Sequence, residues 1–257
     1  MMGRSGGPPR APVALITGAS SGIGAALARE LCGRGYRLTL VARRGARLAA
    51  LAAELGGEQV AVALVCDVRD GAAVERVAAA ALARWGRLDL LVLNAGVGGG
   101  TAFPEFAMAT AARVIETNLL GALAWLAPCL GPLVAARGTV VAISSLAGRF
   151  GSPRSPAYSA SKAALSTFFE GMRVACRALP ITVLTVEPGW VVTEMTAAMG
   201  RLPCAVSAAT AARRIAQAVA RHRTHLVFPR PAGWLIALVG RLPAPWRERL
   251  LRLRDPR

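Results

Sequence analysis

The chain has 257 residues, of which 54% are hydrophobic, and a mean hydropathy of +0.45, which suits one large folded domain and excludes a disordered chain. Its formal net charge is +17 at pH 7, and the excess is concentrated after residue 200. Such a charge can attract nucleic acid or anionic lipid, but the sequence carries no aromatic-studded basic motif of a nucleic-acid-binding module, so no nucleic-acid partner is expected.

The start of the chain is rich in Gly, Pro and Arg and lacks the apolar core of a signal peptide, so residues 1–12 are predicted to form a flexible tail. No apolar run reaches the roughly 18 residues of a membrane-spanning helix. The 5 cysteines are scattered and form no CxxC pair, which indicates buried thiols in a reducing compartment and no metal site. We therefore expect a cytoplasmic protein.

Short apolar runs alternate with longer helical patterns from the first strand onwards. The predicted strands are residues 13–17, 37–42, 60–66, 88–94, 139–144, 182–187 and 225–228. The predicted helices are residues 23–32, 46–55, 72–85, 107–135, 157–178 and 208–220. Several strand runs are apolar on both faces, as parallel strands between two helix layers are. The alternation predicts an α/β domain over residues 13–230, with a single doubly wound Rossmann-type parallel sheet and helices on both faces.

A glycine-rich turn follows the first predicted strand, where residues 17–24 read Thr-Gly-Ala-Ser-Ser-Gly-Ile-Gly. Glycines allow a tight turn and a close backbone approach, and the next helix offers free N–H groups and a positive dipole end to a pyrophosphate. Its position between a first strand and a first helix indicates a dinucleotide site. The expected cofactor contacts in this turn are Gly18, Ser20, Ser21, Gly22, Ile23 and Gly24.

The end of the second predicted strand bears on which dinucleotide is bound. In an NAD site, an acid about twenty residues beyond the turn holds the ribose 2′-hydroxyl. Here Ala42 takes that place, and Arg43 and Arg44 follow it. A carboxylate would repel a 2′-phosphate, whereas a guanidinium binds it through bidentate contacts. Arg43 therefore predicts NADP(H), and the alternative is that both arginines are solvated surface charge.

Tyr158 and Lys162 lie four residues apart, and Lys162 is the only lysine in a chain whose other basic residues are arginines. Residues i and i+4 share one face of a helix. A compact ammonium beside the phenol would lower the tyrosine pKa from about 10 and make Tyr158 a usable proton donor and acceptor. Ser155 and Pro156 are typical of an N-cap and a first helical residue. The alternative for this pair is an ordinary amphipathic surface.

These features, with several others in the right order, resemble the short-chain dehydrogenase/reductase family, common type, from about Val13 to Phe228. The further motifs are Asp67-Val68 after the third predicted strand, Asn94-Ala95-Gly96 at the fourth, Asn118 in the long helix, Ser145 thirteen residues before Tyr158, and Pro188-Gly189 with Thr193. Two positions differ or stay ambiguous. Leu93 replaces the first of two asparagines that the family often has, and Ser144 adjoins Ser145, so only the spacing to Tyr158 selects Ser145.

The resemblance implies that Asn118, Ser145, Tyr158 and Lys162 are catalytic. Ser145 would bind the substrate's carbonyl oxygen, and Tyr158 would pass the proton. Lys162 would tune the tyrosine and hold the cofactor ribose. Asn118 would bend its helix and anchor a water that links Lys162 to solvent. The implied cofactor contacts beyond the glycine turn are Arg43, Asp67, Val68, Asn94, Ala95, Gly96, Tyr158, Lys162, Pro188, Gly189, Val191 and Thr193.

The function implied is interconversion of a carbonyl and an alcohol by hydride transfer with NADP(H), on a small-molecule substrate and in a homodimer or homotetramer. One alternative is an NADP-binding redox sensor or regulator, which has no need of an intact Ser145, Tyr158 and Lys162. Another is a peripheral membrane protein of lipid metabolism with the same fold.

The last part of the chain carries two further expectations. Residues 194–206 correspond to the family's substrate loop, and their apolar side chains predict a lipophilic substrate. Residues 231–257 form a basic, apolar C-terminal extension in which Trp246, Leu250 and Leu253 fall along one helical face. Such a helix can lie on an anionic membrane surface, which would associate the protein with the inner face of a membrane. Alternatively, the extension packs on its own domain or on a second subunit.

Overall fold

The computed structural model describes residues 11–200 and 202–229, together with residues 233, 238–239, 242–243, 245–246 and 248–249. Most of the predicted N-terminal tail, residues 1–12, lies outside the described residues, and so does most of the predicted extension, residues 231–257. Both terminal segments therefore stay predictions.

A parallel sheet forms the centre of the fold. Its strands are β1 Val13–Thr17, β2 Arg37–Ala42, β3 Ala61–Val65, β4 Leu90–Leu93, β5 Thr139–Ile143, β6 Thr182–Pro188 and, after two short strands, β9 His225–Phe228. Within the described residues these seven strands lie in the order β3-β2-β1-β4-β5-β6-β9, and each neighbouring pair is parallel. The two short strands, β7 Val191–Val192 and β8 Val206–Ser207, pair with each other beside the sheet.

Helices cover both faces of the sheet. They are α1 Gly22–Cys32, α2 Gly45–Glu54, α3 Gly71–Trp85, α4 Met108–Ile115, α5 Gly121–Leu123, α6 Leu126–Ala136, α7 Pro156–Ala175 and α8 Ala208–Ala220. Alternate residues of β1 enter two separate apolar cores, because successive side chains of a strand point to opposite faces. Ala14 and Ile16 pack with α1, α2 and α8, whereas Leu15 packs with α3, α6 and α7. The predicted doubly wound Rossmann-type sheet is confirmed.

The predicted long helix over residues 107–135 is interrupted. α4 passes into a five-residue π-helical turn, Glu116–Leu120, before the short α5 and then α6. The predicted bounds of β1, β2, α8 and β9 match the structure, and the remaining ones differ by at most three residues; for example, the third strand was predicted over residues 60–66 and spans Ala61–Val65. The π-helical turn matters for function, because it carries Asn118.

One expectation from the sequence needs correction. The segment Met108–Ala136 is long and apolar enough to cross a membrane by length and composition, although no run of that length was expected. A single such segment is weak support for a membrane span, because core helices of globular proteins pass the same test. Here Ala122, Trp125, Cys129 and Leu133 pack into the core on one face of the sheet. Burial in the domain accounts for the apolar character of that side of the segment.

Candidate active site

The start of α7 places the candidate catalytic pair. Ser155 occupies the N-cap position and Pro156 the first helical turn, as predicted, but the Ser155 side chain makes no capping hydrogen bond. The backbone N–H of Ala157 instead donates to the hydroxyl of the buried Thr101, at 3.2 Å. Thr101 belongs to the segment between β4 and α4, so this contact ties the N-terminus of α7 to that segment.

Tyr158 and Lys162 lie on one side of α7, as their spacing predicted. Lys162 is only 4% exposed, and its Nζ donates a hydrogen bond to the carbonyl oxygen of Ile143 at 2.7 Å. The same Nζ lies 5.9 Å from the centre of the Tyr158 ring. Burial lowers the pKa of Lys162 to about 8. Lys162 is therefore enclosed in the protein, while Tyr158 beside it is partly exposed.

The pKa of Tyr158 moves in the direction opposite to the one that the sequence predicted. Burial raises the pKa of the phenol, because it disfavours the phenolate, and a hydrogen bond with Ser145 acts in the lowering direction without outweighing burial. A neighbouring ammonium had been expected to dominate. The structure thus gives a phenol that stays protonated at neutral pH.

The two adjacent serines after β5 face different surroundings. Ser145 lies close enough to Tyr158 for its hydroxyl to act on the pKa of the phenol. Its Oγ accepts from the N–H of Ala147 at 3.1 Å and donates to the carbonyl oxygen of Pro188 at 3.4 Å. Ser144 is buried, and its hydroxyl donates to the carbonyl oxygen of Lys162 at 2.8 Å. The structure therefore brings Ser145 to the tyrosine, as the spacing predicted, and leaves Ser144 in a packing role.

Asn118 joins the segment after β4 to α7. Its Oδ1 accepts from the N–H of Val97 at 2.7 Å, and its Nδ2 donates to the Val97 carbonyl oxygen and to Ser161 Oγ, both at 3.1 Å. A side chain at Gly96 would begin 3.3 Å from Asn118 Oδ1 and 3.5 Å from Lys162 Nζ. These distances put Asn118, Lys162 and the glycine of the Asn94-Ala95-Gly96 motif around one space.

The glycine turn is locked to the end of β4. The Nδ2 of Asn94 donates to the carbonyl oxygens of Thr17 and Gly18 at 2.9 and 3.2 Å, and Thr17 Oγ1 accepts from the N–H groups of Asn94 and Ala95. Gly18 has φ +66°, and a Cβ there would lie 2.8 Å from the Ala95 Cα. Only glycine fits such a close crossing of two backbones.

The first turn of α1 fits a pyrophosphate by its chemistry. Ser21 at the N-cap makes no side-chain capping bond, and the first turn holds no acid. The N–H groups of this turn and the positive end of the helix dipole are thus available to an anion. A Cβ at Gly24 would collide with the Gly18 carbonyl oxygen, so this glycine keeps the helix close to the turn. The residues present fit a dinucleotide.

The two arginines after β2 occupy different positions. Arg43 is more than half exposed, and its Nη1 lies 3.9 Å from Oδ2 of Asp67. The same carboxylate oxygen forms a closer ion pair with Nη2 of Arg69, at 2.7 Å. Hydrogen bonds from Arg69, above all from its side chain, lower the pKa of Asp67. Arg44, which the sequence did not select, donates to Ser20 Oγ at 3.0 Å and reaches Ser21 in the same turn. The two adjacent arginines predicted a phosphate site, but the sequence does not indicate which of them contacts the glycine turn.

The remaining predicted cofactor contacts either lie beside the candidate site or are buried in the apolar cores. Pro188 is the last residue of β6 and lies beside Ser145. The N–H of the next residue, Gly189, donates to the Phe228 carbonyl oxygen at 2.7 Å. Thr193 lies against the glycine turn, because a Cβ at Gly22 would begin 3.2 Å from its Cγ2. The side chains of Val68 and Val191 are buried and pack into the apolar cores.

A buried carboxylate beside the site was missed by the sequence. Glu187 is 5% exposed and accepts from Arg149, from Ser166 Oγ at 3.2 Å and from His225 Nε2 at 2.9 Å. An acid inside an otherwise apolar strand is a signal that could have found it, since a buried carboxylate needs partners. Among the described residues there is no group of three or more His, Cys, Asp or Glu that could hold a metal.

Comparison with known proteins gives consistent matches. A family model for short chain dehydrogenases matches residues 12–201. An uncharacterised oxidoreductase of Myxococcus xanthus is 39% identical over 233 residues, covering 89% of this chain and 90% of the relative. A Streptomyces violaceoruber protein named as ketoacyl reductase 1 of the granaticin polyketide synthase is 42% identical over 188 residues, covering 72% of this chain and 69% of the relative. A solved structure of an actinorhodin polyketide ketoreductase variant with NADPH has a TM-score of 0.76 and 31% identity, covering 85% of this chain and 95% of that chain.

Proposed function

The chain belongs to the short-chain dehydrogenase family of oxidoreductases, and on that premise we propose that it reduces a lipophilic ketone or aldehyde to an alcohol with NADPH. The observation that carries the proposal is the convergence of Ser145, Tyr158 and the buried Lys162 beside the end of β6 and the Asn118 turn. These elements meet at the carboxyl edge of the parallel sheet, where ligands of open α/β sheets bind.

Ser145 and Tyr158 have different roles in the proposed reaction. Ser145 Oγ would donate a hydrogen bond to the carbonyl oxygen of the substrate and stabilise the charge that develops there. Tyr158 would give its phenolic proton to the same oxygen, and in the oxidative direction it would take the proton back. The bound nicotinamide dinucleotide supplies the hydride for the carbonyl carbon.

Lys162 and Asn118 would act on the surroundings of the reacting groups. The Lys162 ammonium would place a positive charge beside the phenol and bind the ribose hydroxyls of the dinucleotide. Asn118 would hold Val97 and Ser161 in place, and with them the wall that faces Lys162. Because burial raises the pKa of Tyr158, the phenol is protonated at neutral pH and is ready to donate its proton in carbonyl reduction.

The arginines after β2 support NADP(H) over NAD(H). No acid follows β2 to repel a 2′-phosphate, and Arg43 and Arg44 bring two guanidinium groups to this edge of the site. The similar ketoreductase structure was solved with NADPH. Arg43→Asp and Arg44→Asp should each weaken NADPH binding more than NADH binding, which a fluorescence titration measures.

Exposed apolar side chains near the site support a lipophilic substrate. The rings of Phe103 and Phe106 stack at 5.2 Å between centroids and remain 67% and 42% exposed. Met195, which is 45% exposed, lies beside Gly98 of the same segment, where a Cβ would begin 3.7 Å from the Met195 Cγ. Both the segment after β4 and the loop after β7 would thus offer apolar surface to a bulky carbonyl compound.

We also propose a cytoplasmic homo-oligomer. Leu120, Phe168 and Val174 are exposed on the π-helical turn and on α7, and apolar helix surface of this kind is commonly covered by a second subunit. In the C-terminal extension, Leu238 and Trp246 are 62% and 64% exposed, which keeps contact with an anionic membrane as the alternative. Flotation with anionic vesicles tests this alternative. If the extension binds the membrane, the wild type should float with the vesicles and Trp246→Glu should float less.

The redox-sensor alternative is not favoured by the site. A regulator that only senses NADP(H) has no need of Ser145 beside Tyr158 or of an enclosed Lys162. The experiment that tests the enzymatic proposal is a panel of carbonyl compounds, including steroids, long-chain ketones, sugars and acyl aldehydes, followed by the absorbance of NADPH. Apolar ketones should be reduced faster than sugars, and an absence of NADPH oxidation across the panel would contradict the proposal.

A further inference from the structure

Two arginines at the start of α2 and one glutamate that follows β7 form an ion-pair cluster at the glycine turn. This cluster is called here the arginine clasp and consists of Arg44 at the N-cap of α2, Arg47 in its first turn, and Glu194. Nη1 of Arg44 lies 2.8 Å from Oε2 of Glu194, and Nη1 of Arg47 contacts the other carboxylate oxygen, Oε1. Both oxygens of one carboxylate are thus bound by guanidinium groups that come from about 150 residues earlier in the chain.

The clasp is built on the cofactor turn itself. While Arg44 holds Glu194, its Nε donates to Ser20 Oγ at 3.0 Å and its Nη2 donates to Ser21 Oγ at 2.5 Å. Thr193, the residue before Glu194, lies against Gly22 of the same turn. Glu194 therefore shares the Arg44 guanidinium with two residues of the turn that is expected to bind a dinucleotide.

The ion pairs of the clasp are exposed, so a soluble anion can replace the Glu194 carboxylate. The side chains of Arg44, Arg47 and Glu194 are 44%, 52% and 56% exposed. Exposed ion pairs are weak, because water and salt screen them and two long side chains must be ordered. A phosphate monoester carries more charge than a carboxylate and offers three acceptor oxygens to guanidinium groups. Such a phosphate can displace the carboxylate.

We propose that Glu194 is a cofactor-specificity residue, an internal anion that competes with the 2′-phosphate of NADP(H) for Arg44 and Arg47. This inference rests on the proposed NADP(H) dependence. The competition weakens the binding of the 2′-phosphate by the free energy of the two ion pairs. It also links cofactor binding to the turn Glu194–Met199, whose Met195 lies beside Gly98 on the substrate side of the site.

The test compares the binding of 2′,5′-ADP and 5′-ADP by isothermal titration calorimetry, which needs no catalytic turnover. Glu194→Gln should tighten the binding of 2′,5′-ADP by about three- to tenfold, because two exposed ion pairs no longer compete. The binding of 5′-ADP, which lacks the 2′-phosphate, should stay within about twofold. Adding Arg44→Gln to the Glu194→Gln protein should remove the gain, because the guanidinium that the carboxylate releases is then missing.

Glu54→Gln is the matched control. Glu54 forms an exposed bidentate pair with Arg29, with both N–O distances at 2.7 Å, and its replacement removes the same charge while every ion pair of the clasp stays in place. This variant should bind both nucleotides as the wild type does. An equal gain in Glu54→Gln would assign the effect to the overall charge of the protein and overturn the proposal.

The remaining outcomes separate the inference from the function on which it rests. Unchanged or weaker binding of 2′,5′-ADP by Glu194→Gln, in a protein whose wild type prefers it over 5′-ADP, overturns the inference alone. Equal tightening of both nucleotides also overturns it, because the carboxylate would then oppose the pyrophosphate. A wild type without any preference for 2′,5′-ADP contradicts the NADP(H) dependence and the inference together.

Discussion

At the scale of single residues, the site is built around the buried ammonium of Lys162. Lys162 is 4% exposed, its Nζ lies 2.7 Å from the Ile143 carbonyl oxygen, and Gly96 closes the space on another side. An arginine side chain keeps the charge, but its guanidinium is planar and wider than an ammonium, so we expect it to place the charge differently. The only lysine in the sequence thus occurs at a buried position beside a backbone carbonyl, where we expect the compact ammonium to be required.

Lys162→Arg should therefore lower kcat for ketone reduction by about a hundredfold or more, as loss of a positioned acid–base group does. Single-turnover and steady-state measurements of NADPH oxidation check this, with circular dichroism as a control for folding. A folded Lys162→Arg protein with near wild-type kcat would show that the charge alone is sufficient.

The pH profile of the reaction should report the Lys162 ammonium. Burial lowers the pKa of Lys162 to about 8, so the charged form is present below that pH and is lost as the pH rises through it. Because burial also raises the pKa of Tyr158, the phenol stays protonated over the same range. Ketone reduction should thus be level at neutral pH and fall above about pH 8.

The measurement is kcat/KM for ketone reduction from about pH 6 to pH 10, which reports the ionisations of the free enzyme. Any residual activity of Lys162→Arg should lack the decline, since a guanidinium stays charged throughout this range. A wild-type profile that stays level up to the highest pH would contradict the assignment.

At the scale of elements, Glu187 connects three parts of the fold that carry or support the site. Arg149 extends from the turn that follows Ser145, Ser166 from α7 and His225 from β9, and all three hydrogen-bond to this one carboxylate at the end of β6. Burial acts to raise the pKa of Glu187, but hydrogen bonds from His225 and Arg149 outweigh it and hold the pKa below its usual range.

Glu187→Gln should lower the free energy of unfolding by about 2 kcal/mol at neutral pH, because charged hydrogen bonds are lost from a buried position. The stability that a depressed carboxyl pKa contributes is present above the unfolded-state pKa of about 4.3 and is lost as the pH falls through the folded-state value. Urea unfolding at neutral and acidic pH should therefore show the variant and the wild type converging in acid.

Arg173→Gln is the control for this comparison. Arg173 also ties α7 to β6, but its partners are uncharged: the Val183 carbonyl oxygen at 3.1 Å and Thr185 Oγ1 at 2.8 Å. Its loss should cost stability by an amount that does not change with acidification. If Glu187→Gln also lost a constant amount at every pH, the ionised state of Glu187 would not be the stabilising form.

The elements also show what sequence alone can reach. The parallel strands and the glycine turn can be predicted from the sequence, because each depends on residues that are close together along the chain. The capping of α7 by Thr101 and the choice of Arg44 over Arg43 at the turn depend on contacts between distant segments. The direction of the Tyr158 pKa depends on how deeply the fold buries the phenol, and an i,i+4 spacing does not contain that information.

At the scale of the whole molecule, the exposed apolar side chains predict a homo-oligomer. Phe168 is 41% exposed on α7, beside the buried Phe169. Phe168→Glu should produce a smaller species in light scattering after size exclusion, with unchanged far-ultraviolet circular dichroism, because charge at an apolar subunit contact is costly. A wild type that elutes as a monomer would contradict the expectation.

The central claim is that Tyr158 passes the proton to or from the substrate oxygen while the dinucleotide exchanges hydride with the carbonyl carbon. Tyr158→Phe removes one hydroxyl and keeps the ring, so the most direct measurement is its kcat for ketone reduction beside its affinity for NADPH. The account predicts a loss of about 10²- to 10⁴-fold in kcat with NADPH binding within about twofold of the wild type. A folded variant that binds NADPH and reduces the ketone at near the wild-type rate would contradict it.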